Sequence, residues 1–369
     1  MDTSSASPAA AASSPQRVVC SDALEQQERL YRAAFGKTDG TRVLPWRYEQ
    51  SPHGASITLL TCEGEEPVAA YACNARRVAG AGGVAAAVGE TGDVMTHPDH
   101  RGRGLFLALD RRAMEEARGE GWPVVIGLPN SKSADIFTTK LGWEAVGSIR
   151  PWTFVLTAGG EARAARRRAG RLASIAVPWT AWRGSMRRGA LRKRFFGKIN
   201  AVAIPRFNEK ADALFEEVRG RWPWIQERSA AFLNWRFAEA PSQRFRAHGV
   251  YAPDGSLRGY AVVQLPERGE SVGWVVDLLA ADEVAFAGAM EAALGHLQKV
   301  GAAVARATAV EGSWWERQLR ASGFRAPASG DRKRIIAHVL EPGHPLAQAV
   351  RRPADWYFTD ADRDDEVCS

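Results

Sequence analysis

The residues with the most chemical content lie between 90 and 130. Glu90 and Asp93 flank an extended run, Asp93 to Thr96, that stops at Pro98. Arg101, Gly102, Arg103 and Gly104 follow as a glycine-rich turn. Leu105, Leu109, Ala113, Met114 and Ala117 then recur at helical spacing, and Gly119 and Gly121 set the end of that helix. Strand, glycine turn and helix start together make an anion site. The first turn of a helix leaves backbone N–H groups unpaired, here at Leu105, Phe106 and Leu107, and the helix dipole adds partial positive charge. Glycine lets the backbone approach the anion without a Cβ in the way. Arg101 and Arg103 add charge nearby.

The neighbours of this turn make it specific. HPDHRGRGLF (97–106) resembles the pyrophosphate loop of the GCN5-related N-acetyltransferase (GNAT) family, Arg/Gln-x-x-Gly-x-Gly/Ala. Arg101 and Gly104 stand at its two firmest positions, and Phe106 stands where the family usually has a small residue. Downstream, VVIGLPNSKSADIFTTKLGWEAVG (124–147) resembles the family's fifth strand, the following helix and the closing Leu-Gly-aromatic. The resemblance implies acetyl-CoA as co-substrate. It implies that residues 101–107 hold the pyrophosphate, and that the backbone of Val94, Met95 and Thr96 holds the pantetheine arm and polarises the carbonyl. It also implies that Asn130 contacts the coenzyme, a role compatible with capping a helix.

An amine attacking a thioester directly must lose a proton, and the thiolate must leave. Glu90 and Asp93 are the candidate proton acceptors, directly or through water. The alternatives are a turn carboxylate at Glu90 and a structural acceptor at Asp93. His97 reads as loop structure and His100 as a neighbour of the phosphate loop. Many family members place tyrosine four residues before the glycine of the closing motif. Here that position is Thr138, beside Phe137, and Tyr71 is the other hydroxyl candidate.

The elements that position these residues come twice. Trp46-Arg47-Tyr48, then Pro52, is matched by Trp235-Arg236-Phe237, then Pro241. Two apolar runs joined by turn residues follow each: 56–61 and 68–73, then 245–251 and 257–265, with Pro-Asp-Gly in the second turn. Asp93 parallels Asp277 and Gly142 parallels Gly323, all in register. The fold class expected is α/β (α+β): two tandem GNAT-like domains, each a twisted, largely antiparallel mixed sheet flanked by helices. The boundaries read as a disordered 1–17, a coenzyme-bearing domain at 18–156, a basic linker at 157–200, a degenerate second domain at 201–345, and a C-terminal tail at 346–369. The second copy has no Gly-x-Gly after VVDLL (275–279), and Asp282 and Glu283 would repel a pyrophosphate. One coenzyme per chain is therefore expected. Such two-copy arrangements resemble the Eis-like acetyltransferases and, more distantly, the FemAB-type aminoacyl transferases. The tail WYFTDAD (356–362) resembles tails in bacterial two-domain acetyltransferases.

Composition narrows the rest. At 45% hydrophobic and 25% charged residues, the chain is a globular protein, and its 369 residues suit two domains. Cys20, Cys62, Cys73 and Cys368 form no CxxC pair and no zinc pattern, so no metal is expected and reduced thiols in the cytoplasm are. The N-terminus lacks the form of a secretory signal. A net charge of +7 identifies no partner, and no nucleic acid is expected. Within 157–200, arginines interleaved with Trp179, Trp182, Phe195 and Phe196 fit either a solvated linker or a peripheral contact with an anionic membrane. Three functions remain. The first is N-acetylation of a small polar amine, such as an amino sugar or aminoglycoside. The second is a FemAB-like or longer-chain acyl transfer onto a cell-envelope or lipid-linked precursor. The third is a silent coenzyme sensor.

Overall fold

The computed structural model describes residues 13–157, 201–327 and 332–363. The expected linker at 157–200 lies outside them from residue 158 on.

Each repeat forms the hairpin that its turn residues predict. β2 (Ile57–Glu63) turns at Gly64, φ 60°, into β3 (Glu66–Ala79), and β9 (Phe245–Tyr251) turns at Gly255, φ 81°, into β10 (Leu257–Gln264). β4 (Ala85–Thr96) and β11 (Val272–Ala280) extend the two hairpins. A helix follows each: α3 (Leu105–Gly119), and in the second repeat α7 (Glu283–Lys299). Each repeat then gives a strand, a short helix and a last strand. These are β5 (Val124–Gly127), α4 (Ser131–Lys140) and β6 (Glu144–Val155), then β12 (Val304–Val310), α8 (Trp314–Ala321) and β13 (Lys333–Val339). The remaining elements are β1 (Gln16–Arg17), α1 (Leu24–Phe35), α2 (Gly40–Tyr48), β7 (Ala201–Ile204), α5 (Glu209–Val218), β8 (Ile225–Gln226), α6 (Ala230–Leu233) and α9 (Pro345–Ala349).

Two separate sheets were expected, and a single sheet is found. Among the described residues the strand order is β1-β2-β3-β4-β5-β13-β6-β12-β11-β10-β9-β7, with β8 paired to β3 off that path. The repeats exchange their last strands. β13 lies antiparallel on β5 of the first repeat, β6 lies antiparallel on β12 of the second, and β13 and β6 pair with each other in the middle. Without a last strand beside them, β5 and β12 would each present an open edge. The exchange covers both, and it makes the two halves one continuous layer.

The matching tryptophans meet between the halves. The Trp46 and Trp235 rings stack at 4.8 Å, and both are buried. The Trp46 Nε1–H donates to the Trp235 carbonyl at 3.1 Å, and the Trp235 Nε1–H donates to the Trp46 carbonyl at 3.0 Å. This reciprocity is that of an internal twofold relation, and it explains why the W-R-aromatic motif occurs twice.

Helices cover both faces. α3 and α4 pack on Ile57, Leu59, Tyr71 and Cys73, while α1 and α2 pack on the opposite face, over Leu60, Ala70 and Ala72. The expected disordered N-terminus extends too far: Gln16 and Arg17 pair with Leu60 and Leu59, and the Ser13 N–H donates to the Cys62 carbonyl. The start of the C-terminal tail packs into the interior. Trp356, Tyr357, Phe358, Asp360 and Asp362 are buried. Arg228 donates to Asp277 Oδ2 at 3.1 Å and to Asp362 Oδ2 at 2.7 Å, so the buried charges compensate one another.

Candidate active site

The glycine-rich turn has the expected shape. Gly102 and Gly104 both adopt φ 79°, which glycine alone takes without strain, and a Cβ on either would meet nothing within 4 Å. Gly104 begins α3 without a side-chain cap, so the first-turn amides of Leu105, Phe106 and Leu107 face outward. Phe106 is no obstacle: its ring packs edge-on against Phe137 at 5.0 Å and ties the start of α3 to α4. The two arginines differ. Arg103 is engaged by Glu63 and by His100 Nδ1 at 2.8 Å, and this guanidinium is the main cause that holds the Glu63 carboxyl below its usual range. Arg101 is exposed and has no side-chain partner among the described residues.

β4 and β5 run parallel but pair only at Gly89, Glu90 and Thr91. Beyond Thr91 they diverge, and Val94, Met95 and Thr96 present a backbone edge to the splay. A register shift opposite Ala70 and Ala72 marks a bulge there, with Asp93 at φ 45°. Asn130 caps α4, its Oδ1 accepting from the Lys132 and Ser133 amides at 3.0 Å each. The first-turn amides of α3, the unpaired Arg101 and the open edge of β4 together fit an elongated ligand with an anionic middle.

The second half shows what its own splay holds. β11 and β12 pair only at Val272, Gly273 and Trp274, and the C-terminal segment spans the gap beyond. The Tyr357 hydroxyl donates to the Leu278 carbonyl. Asp360 Oδ2 accepts from the Thr308 amide at 2.6 Å, and Arg363 donates to Thr308 Oγ1 at 2.8 Å. Asp277 corresponds to Asp93, so Leu278 corresponds to Val94. Asp282 also caps α7, accepting from the Ala285 amide at 2.8 Å, which closes that helix start to an anion.

Residues 16–146 match the family model described as an acetyltransferase (GNAT) domain. The chain carries a GNAT acyltransferase domain. No curated protein matches the sequence. Solved structures share the fold well beyond the GNAT domain. A conserved protein of unknown function from Enterococcus faecalis V583, described as a probable N-acyltransferase, is 12% identical with TM-score 0.62, covering 90% of this chain and 73% of that one. A GCN5-related N-acetyltransferase from Kribbella flavida is 14% identical with TM-score 0.58, covering 90% and 72%. Another from Anabaena variabilis ATCC 29413 is 11% identical with TM-score 0.62, covering 89% and 73%. At these identities the likeness shows the fold alone.

Both candidate carboxylates of the GNAT domain face a guanidinium. Glu90 is 1% exposed and accepts from Arg76 Nε at 2.7 Å. Asp93 pairs with Arg47 and accepts from the Tyr48 hydroxyl at 2.8 Å; its side chain keeps 13% exposure at the mouth of the splay. Arg47 and Tyr48 belong to α2, so Asp93 faces α2 rather than α3. The hydroxyl candidates are otherwise committed. Thr138 Oγ1 donates back to the Ala134 carbonyl at 3.0 Å. Tyr71 is buried and donates to Asp110 Oδ1 at 2.9 Å, and burial, with the nearby Asp110 charge, holds its hydroxyl well above the usual range. His97 caps the short turn after Pro98.

Sequence reasoning missed the roles of Arg47 and Tyr48. A signal was present: the repeat reads W-R-aromatic twice, but only the copy beside the glycine turn carries a hydroxyl, Tyr48 against Phe237. Among the described residues, no helix is long and apolar enough to cross a membrane, and no His, Cys, Asp and Glu group could hold a metal ion.

Proposed function

We propose that this chain is an acetyl-CoA-dependent N-acetyltransferase acting on a small polar amine of amino-sugar or aminoglycoside type. One observation carries the reading: the β4–β5 splay opens beside a glycine-begun helix start with its first-turn amides exposed. Bound acetyl-CoA would supply an activated thioester. The amides of Leu105, Phe106 and Leu107, with Arg101, hold its pyrophosphate. The backbone of Val94, Met95 and Thr96 lines the pantetheine arm and polarises the carbonyl, and Asn130 flanks it. Asp93, oriented by Arg47 and Tyr48, receives the ammonium proton through water at Oδ1 or Oδ2. Glu90 is the second carboxylate on that face. Neither Thr138 nor Tyr71 is free to return a proton, so the thiolate takes one from solvent. With a thiol pKa of about 8.5, that thiolate leaves readily.

The second half reads as a degenerate GNAT-like copy, an arrangement similar to the Eis-like acetyltransferases; its filled splay and capped α7 support one coenzyme per chain. The test is calorimetric titration with acetyl-CoA on the parent, Gly104→Ala and Gly104→Asp. Alanine carries the backbone strain of a positive φ, and aspartate adds charge to it. The parent should bind about one equivalent. Aspartate should weaken binding about tenfold or more beyond alanine, as expected for a charge at a helix start. Two equivalent sites, or equal binding by both variants, would refute the assignment.

A further inference from the structure

The edge of β3 has a gap. β2 pairs with β3 as far as Cys73, and β8 begins to pair at Val78. The loop that carries His53 lies in this gap, and its ring stacks on Phe232 at 4.6 Å. Asn74, Arg76 and Val78 alternate onto one face of β3. Gln226, opposite Val78, shares that face, as does Glu90, opposite Asn74. His53, Asn74, Arg76 and Gln226 are all at least nine-tenths buried. Each also has a polar atom with no hydrogen-bond partner: both ring nitrogens of His53, Asn74 Nδ2, Arg76 Nη1 and Gln226 Nε2.

Such a group is costly. Each unmade hydrogen bond on a buried polar atom costs on the order of 1–3 kcal/mol. A fold gains nothing from gathering several of them unless a partner arrives. The position is suggestive as well. Asp93 lies three residues along β4 from Glu90, about 10 Å at strand rise. That is the span of one small molecule with its amine at Asp93 and its far end at Asn74, the nearest of these donors.

We infer that His53, Asn74, Arg76 and Gln226 form the acceptor subsite, and that the acceptor is a hydroxyl-rich amine of the amino-sugar class. The inference rests on the acetyl-transfer reading above. The atoms decide the class. Arg76, Asn74 and Gln226 offer N–H donors, which call for oxygen. The His53 ring is held neutral, first by burial and then by the charges of Arg76, Arg77 and Arg228, so one of its nitrogens is a bare acceptor. A carboxylate can take the donors but gives nothing to that nitrogen. A hydroxyl does both. Arg76 is already neutralised by Glu90, so the subsite has no excess charge with which to favour an anion.

The test is direct binding of glucosamine, with cyclohexylamine as the hydroxyl-free control, by calorimetry on the parent, His53→Phe and Asn74→Leu. His53→Phe replaces an unpartnered buried ring with an apolar one of similar shape, so its melting temperature should hold or rise, whereas Asn74→Leu also loses the Ser56 hydroxyl's 2.8 Å hydrogen bond to Asn74 Oδ1 and should melt lower while still folding. Glucosamine should bind the parent, and each variant should weaken it about tenfold, the worth of one hydrogen bond to a buried partner. Cyclohexylamine should bind the parent weakly and the variants no more weakly. Acetyl-CoA affinity, measured in parallel, should not change. Equal glucosamine binding by parent and variants would overturn the subsite. So would a lack of glucosamine binding by a parent that binds acetyl-CoA, which leaves the transfer reading standing. A parent that binds glucosamine but no acetyl-CoA would break the transfer reading and, with it, the acceptor role of the subsite, leaving a sugar-binding site only.

Discussion

The two candidate carboxylates have similar partners and different surroundings. Glu90 and Arg76 are both buried, so removing the charge of Glu90 strands a guanidinium in the interior. Breaking such a pair from one side typically costs about 3–5 kcal/mol. Asp93 stands at the splay on a backbone that only the bulge allows, with Tyr48 aiming its hydroxyl at it. The expectation is therefore a split between the two variants. Asp93→Asn should lower kcat on the order of 10²-fold, the lower end of general-base contributions. Glu90→Gln should show its main effect in the melting temperature. Parental turnover in Asp93→Asn, measured on folded protein, would mean that the base lies elsewhere. The helix start at Gly104 and the cap at Asn130 were legible in the sequence because both are local and fall within a few residues. The partners of Glu90 and Asp93 were not legible. Arg76 reaches Glu90 only through the β3–β4 register, and Arg47 reaches Asp93 only because α2 packs over that face.

At the scale of elements, β4, the glycine turn and α3 follow the pattern written in the sequence, since period and punctuation determine them. One buried residue of α3 did not show. Asp110 lies under the helix, accepting from the Tyr71 hydroxyl at 2.9 Å and from Trp143 Nε1 at 3.3 Å. Burial, the largest influence, pushes its carboxyl up to about 6, against the opposing effect of those hydrogen bonds. The sign follows from proton binding. The folded state holds the proton more tightly than the unfolded state, so stability is greatest at acid pH. It falls as pH rises from the unfolded carboxyl value, about 4, through about 6. A shift of this size corresponds to roughly 2–3 kcal/mol. The substitution Asp110→Asn keeps both contacts, with the new amide's oxygen accepting from Trp143 and its nitrogen donating to the Tyr71 oxygen. Urea unfolding of the parent and Asp110→Asn, at about pH 4.5 and about pH 7.5, reads the difference. The variant should gain on the parent by on the order of 1–3 kcal/mol at the higher pH. A stability difference that does not change with pH would show that Asp110 does not titrate in this window.

At the scale of the whole molecule, the repeat was legible, but the way its copies combine was not. Four matched positions in register told of two units. Strand periodicity tells that 333–339 and 144–155 are strands, but not which neighbour each takes, because pairing partners are chosen by the assembled fold. The exchange of β6 and β13 has a thermodynamic consequence. β5, in the half with the glycine-rich turn, is covered by a strand from the far end of the chain, and β12 by a strand from the first half. Neither half keeps a closed sheet edge when the other unfolds, and the Trp46–Trp235 pair loses both hydrogen bonds at once. The chain should therefore unfold in a single transition despite its length. Arg228→Met tests this from the second half. It leaves Asp277 and Asp362 buried without their cation, a loss of about 3–5 kcal/mol. The expected result is one lower melting transition, seen alike by the intrinsic tryptophan signal and by the temperature at which acetyl-CoA binding is lost. Added acetyl-CoA should raise that same transition in both proteins, because the ligand binds only the folded state. If Arg228→Met instead melts in two steps, with coenzyme binding outlasting the first, the halves are separable and the exchanged strands do not couple them.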